Sequence, residues 1–326
     1  MQLPRRTLIM PNYNGVWSLS TQYQYVGDWP SAPTFSLFGT GQDAGTYSTV
    51  IQKVDIVSAG NAVDFGDLSQ GRWGGGALAS ATRAVFGGGV ADLSAGDGNN
   101  ESDVMDYVTI ASAGNATDFG NLSQKRRGLA GLSNSTRGVF CGGYSGSKYN
   151  VMDYITIGST GNATDFGDLI AARLGVGAFA STTRGLIGGG DASSTTNEID
   201  YITIGSAGNG TDFGNLSGAR KALAGLSSSV RGIFGGGNGV SNVMDYFTIA
   251  STGNATDFGN LTAARQNLAG ASNSITGIFA GGSTGSLSNI IDSVIIATTG
   301  NASDFGDLLA AHQYLAGCSG SHGGIA

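Results

Sequence analysis

Asn150 to Leu169 reads NVMDYITIGSTGNATDFGDL, where apolar and polar residues alternate with a period of two until a Gly-Ser-Thr-Gly turn interrupts them. That period predicts a strand, because successive side chains of an extended chain point to opposite faces. Upstream, LAGLSNST (129–136) and RGVFCGG (137–143) are shorter runs punctuated by Gly, Ser and Asn, and DFGDL closes the stretch around an aromatic residue. Together they predict four short strands and no helix, a unit that folds as a small antiparallel sheet. In MDYITI, Asp153, Ile155 and Ile157 lie on one face and Met152, Tyr154 and Thr156 on the other. Both faces are partly apolar, so each sheet needs cover on both sides.

The same four-part text recurs along the chain. The Phe of Asp-Phe-Gly stands at Phe65, Phe119, Phe166, Phe213, Phe258 and Phe305, at intervals of 45 to 47 residues with one of 54. A fixed period signals a repeat architecture, and sheets covered on both faces are satisfied by a closed ring. A linear stack needs polar end caps, and the outer copies are as apolar as the inner ones. The first copy, opening at TFSLFGTG (34–41), lacks the LAGLSNST strand, and the last segment, YLAGCSGSHGGIA (314–326), is that strand left over. The expectation is an all-β, six-bladed β-propeller over residues 33–326, closed by the C-terminal strand and preceded by an extended N-terminal arm over residues 1–32.

Charged residues repeat with the blades. Acids recur in the third strand at Asp55, Asp106, Asp153, Asp200, Asp245 and Asp292, and in the fourth at Asp64, Asp118, Asp165, Asp212, Asp257 and Asp304. Bases recur at Arg72, Arg126, Arg173, Arg220, Arg265 and His312, and again at Arg83, Arg137, Arg184 and Arg231. A catalytic group is needed once per site, whereas a residue copied into every blade serves the blade. These are expected to be hydrogen-bonded or salt-bridged fasteners, since buried charges must be paired. The Gly-Asn-Ala-Thr turn creates Asn-x-Thr triplets at Asn115, Asn162 and Asn254, read here as turn chemistry in which Gly-Asn tolerates positive φ and Thr caps. Cys141 and Cys318 fall in strands of different blades and are expected as buried free thiols.

The loops between second and third strands vary freely, and binding residues sit on variable loops held by rigid scaffolds. The longest (90–103) carries Asp92, Asp97, Glu101 and Asp103, whose spacing matches no EF-hand loop and reads as solvated acids rather than a calcium site. The next (144–150) offers Tyr144, Lys148 and Tyr149 as a stacking surface for a sugar or a protein. A net charge of -7 without a basic cluster argues against nucleic acid, and no apolar run is long enough to cross a membrane. Two histidines, His312 and His322, leave little material for a histidine metal site or a Ser-His-Asp triad. Neither enzymatic activity nor a cofactor or catalytic metal is expected.

An apolar strand ending in Gly-Gly, an Asp-Tyr strand, an aromatic outer strand and an Arg before the next unit resemble the kelch repeat, whose period is about 50 residues. The resemblance covers Thr34 to Ala326, with the Phe of Asp-Phe-Gly where kelch repeats carry Trp. More narrowly, DYITI and GNATDFGDL joined to TRGVF resemble repeats of virion structural and tail-fibre-like proteins of marine bacteriophages. That resemblance implies a virion location, many copies per particle and a tail-fibre, tail-associated or capsid-decorating role. The arm holds Tyr13, Trp17, Tyr23, Tyr25 and Trp29, and GVWSLSTQYQYVGDWP is similar to leader segments in such proteins. It is expected to dock on other virion proteins, leaving the loops for a host-surface glycan or protein. A glycan-binding or glycan-cleaving module is the alternative.

Overall fold

The computed structural model describes residues 34–43, 46–91, 100–239 and 241–325. Across them run six four-stranded antiparallel sheets, five of which follow chain order. In blade 3 the strands are Ala130–Ser133, Arg137–Cys141, Val151–Thr156 and Thr164–Asp168, counted from the channel outward. The sixth sheet, blade 1, joins Ala316–Ser319 to Phe35–Gly39, with Leu37 opposite Cys318. The innermost strands touch one another in cyclic order, so the C-terminal strand closes a ring begun near the N-terminus.

The core lies between blades rather than within them. Met152 and Phe166 of blade 3 pack with Ile187, Ile202 and Ile204 of blade 4. Ile155 and Ile157, on the other face of the same strand, pack with Met105 and Phe119 of blade 2. The period-two pattern thus distributes each third strand over two apolar layers.

The outer rim is fastened by the repeated turns. Asn162 Oδ1 accepts the Asn121 N–H of the preceding blade at 3.0 Å, flanked by Gly161 N–H to Phe119 O at 2.7 Å and Ala163 N–H to Asn121 O at 2.8 Å. The same latch closes the ring, where Asn61 Oδ1 accepts the Asp307 N–H at 3.0 Å. Positive φ in these turns falls on the glycines, as at Gly114 and Gly161, and not on the asparagines, and Asn recurs because its side chain completes the neighbour's backbone. The Asp-Phe-Gly glycine follows from the same contact. Gly120 has φ +135°, and a Cβ there would lie 2.5 Å from Gly161 O.

Five buried ion pairs staple blades 2 to 6: Arg72–Asp106 (2.8 Å), Arg126–Asp153 (2.9 Å), Arg173–Asp200 (2.8 Å), Arg220–Asp245 (2.9 Å) and Arg265–Asp292 (2.6 Å). Burial pulls the Arg72, Arg126, Arg220 and Arg265 guanidiniums below their ordinary value, with the partner carboxylate pushing back. Each carboxylate also takes an N–H from the preceding blade, as Asp200 does from Ile170 at 2.9 Å.

Blade 1 departs from this, and the expectation for Asp55 is corrected. Register places Gln52 opposite Asp64 as Asp106 is opposite Asp118, so Gln52 is the sixth member of the set, with His312 in the place of the arginine. Gln52 Oε1 accepts the Leu309 N–H at 2.7 Å, keeping the interblade bond without the charge. Asp55 is exposed and accepts the Val57 N–H at 2.9 Å.

The second arginine set fastens the blades by hydrogen bonds, as expected, and adds an aromatic partner. Arg83, Arg137, Arg184 and Arg231 lie over Tyr107, Tyr154, Tyr201 and Tyr246 at 4.2 to 4.5 Å. Each also donates to the next blade, as Arg137 does to Ile204 O at 3.1 Å. In blade 1 the pair is inverted, with Lys53 over Phe35 at 4.4 Å. The fourth-strand acids are exposed, and Asp118 accepts the Gly120 N–H at 3.3 Å. Cys141 and Cys318 are free and buried, and burial pushes both thiols up to about 12.

Candidate functional site at the channel mouth

Two residues separate each buried Arg or His from the innermost strand region that follows: Trp73-Gly74, Arg127-Gly128, Leu174-Gly175, Lys221-Ala222, Gln266-Asn267 and Gln313-Tyr314. The second of each pair is left-handed, with φ from +57° to +68°. Their backbones form a closed circle of six hydrogen bonds. Gly128 N–H donates to Gly74 O, and so on around the ring to Gly74 N–H, which donates to Tyr314 O at 3.0 Å. Three of the six positions are glycine, which tolerates this conformation, but Ala222, Asn267 and Tyr314 hold it against an opposing steric preference.

The first residue of each pair is knitted to a loop between second and third strands. Trp73 pairs with Val90, Arg127 with Tyr144, Leu174 with Asp191, Gln266 with Ser283 and Gln313 with Gln42. In blade 5, Lys221 N–H donates to Asn238 Oδ1 at 2.8 Å. Mouth and variable loops therefore form one surface.

Inside the circle is a cavity of about 280 Å³, its walls including Leu129, Val176, Leu223, Leu268 and Leu315. Trp73 and Tyr314 bring an aromatic wall, their ring centroids 4.7 Å apart, with Tyr47 edge-on to Trp73 at 6.4 Å. Arg127 lies over Trp73 at 5.3 Å and Tyr144 at 5.2 Å, and its Nε meets Glu101 at 3.4 Å. In blades 3 to 5, Asp191 is held by Lys221 at 2.6 Å and Lys148 at 2.9 Å. These two lysines keep the Asp191 carboxyl below its ordinary value.

The opposite end of the channel is filled by the C-terminal segment. His322 Nε2 lies 3.1 Å from both Ser133 Oγ and Ala79 O, while its Nδ1 accepts the Gly324 N–H at 3.0 Å. Gly323 N–H donates to Ser227 O at 3.1 Å. Burial pushes the imidazole down to about 4.

The structure brings three of the sequence-derived candidates to the mouth surface. Glu101 is buried against Arg127, Tyr144 lies beneath the same guanidinium, and Lys148 meets Asp191. Tyr149 turns back on its own loop, where its hydroxyl donates to Ser145 O at 3.2 Å. Asp103 is half-buried, and its backbone carbonyl accepts the Leu122 N–H. Asp92, Asp97 and the arm residues Tyr13, Trp17, Tyr23, Tyr25 and Trp29 lie outside the described residues. Among the described residues, no group of three or more His, Cys, Asp or Glu could hold a metal ion. Reading loops alone missed Trp73, Arg127, Lys221, Asn267 and Tyr314. Their signal was available, because the two positions after each repeated Arg change type from copy to copy.

Comparison with protein-family models and with curated proteins finds no match to the chain.

Proposed function

We propose that the protein is a non-enzymatic attachment propeller of a phage particle. The arm, residues 1–32, anchors it to neighbouring virion proteins, and the mouth-and-loop surface meets a host-surface molecule or a neighbouring protein. The observation that carries this reading is the variation at the mouth. Fastener positions repeat their chemistry nearly unchanged, whereas the six residues after the buried bases are Trp73, Arg127, Leu174, Lys221, Gln266 and Gln313. A rigid ring that varies its side chains at one opening suits selective binding.

The resemblance of the repeat text to kelch-like virion proteins supports the particle assignment. A non-enzymatic role is supported by Asp191 at the mouth, which is held ionised between two lysines. A general acid requires a carboxyl that keeps its proton.

Peptide mass spectrometry and cryo-electron microscopy of purified particles test the proposal. Peptides of this chain and a six-bladed ring on capsid or tail are expected. Intact particles without either overturn it and favour a free glycan-acting module.

A further inference from the structure

We infer that the channel mouth is a binding site for a carboxylated sugar residue, one that enters the cavity bounded by Trp73, Arg127, Lys221, Asn267 and Tyr314. The inference rests on the binding role proposed above for this surface and names the ligand chemistry.

Charge is the first reason. The chain carries a net charge of -7, yet three cations, Arg127, Lys148 and Lys221, meet two carboxylates, Glu101 and Asp191, at the mouth. Among these five side chains cations outnumber carboxylates, in a chain whose net charge is negative. Arg127 Nε lies 3.4 Å from a Glu101 carboxylate oxygen, and this buried nitrogen has no hydrogen-bond partner. A guanidinium presenting two parallel donors matches a carboxylate in shape as well as charge.

Apolar shape is the second. The walls include leucine and valine side chains and the paired rings of Trp73 and Tyr314. A sugar ring has C–H faces that pack on such surfaces and hydroxyls that need polar neighbours, which Asn267 and Lys221 provide. At about 280 Å³ the cavity is small for a folded peptide and suited to a single ring.

Backbone strain is the third. Ala222, Asn267 and Tyr314 adopt φ values of +58°, +57° and +60°, where the sister blades use glycine. Tyr314 is the bulkiest, and its ring lies against Trp73. Strain concentrates where side-chain direction matters, and here it places Asn and Tyr at the opening.

The test is titration of the full-length chain with sodium D-glucuronate and with D-glucose. Binding is followed by Trp73 fluorescence in a Trp17→Phe/Trp29→Phe background and by calorimetry. Saturable binding of glucuronate is expected, with at least tenfold weaker binding of glucose. Arg127→Gln and Lys221→Gln should each weaken glucuronate binding at least fivefold while leaving the circular dichroism spectrum of the folded chain unchanged. Tyr314→Gly should restore the sister-blade residue and weaken both sugars. Equal affinity for the two sugars, no binding of either, or glucuronate binding untouched by both charge variants overturns the inference. Particle mass spectrometry is an independent readout, so a failure here leaves the particle assignment standing, and the reverse also holds.

Discussion

Gly120 shows how much a single position can decide. Its φ of +135° and the Gly161 carbonyl beside it exclude any side chain, whereas Gly158 has open space and ordinary backbone geometry. Gly120→Ala should cost at least about 2 kcal/mol and Gly158→Ala within about 0.5 kcal/mol, measured by urea denaturation. Sequence reading recognised the Asp-Phe-Gly glycines as repeated but could not see the reason, which is the backbone of the next blade. The same holds for Asn162. Its recurrence is plain in the text, while its acceptor role toward Asn121 exists only once two blades are side by side.

At the scale of the element, fasteners change as units. Blade 1 replaces both members of the buried ion pair, with Gln52 and His312, and it also inverts the cation–aromatic pair, with Lys53 over Phe35. Blade 6 loses both members of the latter, carrying Thr276 and Ser293 at the places of the arginine and tyrosine. Removing one partner of a buried pair leaves an uncompensated charge, whereas exchanging both does not. Asp153→Gln should therefore cost about 3–5 kcal/mol by stranding Arg126. Arg126→His added to it, reproducing the blade 1 combination, should recover more than half of that loss in the same denaturation assay. For the half-buried cation–aromatic clasp, a double-mutant cycle on Arg137 and Tyr154 should give a coupling of about 0.5–2 kcal/mol.

On the scale of the whole molecule, the ring depends on its last strand and on the tail that follows it. The unfolded chain takes up a proton on His322 near 6.5 and the folded chain only near 4, because the imidazole is buried. Its Nδ1 already accepts the Gly324 N–H, so a proton there would replace an acceptor with a donor. Between these values the unfolded state holds more protons, and stability falls as pH drops from 6.5 toward 4, by about 3 kcal/mol in all. His322→Gln should flatten the slope of unfolding free energy against pH across that window.

Strand period, repeat spacing and the displaced C-terminal strand were legible along the chain, because alternation and blade count are local properties that every copy restates. From them followed the all-β class, the six blades and the manner of closure. The mouth was not legible in that way. Trp73 and Tyr314 are separated by most of the sequence, and they meet at 4.7 Å only because the ring closes. Closure likewise sets Arg127, Lys221 and Asn267 around one cavity and places His322 at the other end of the channel. A repeat declares its own unit in the text, but which unlike residues face one another is a consequence of bending those units into a circle.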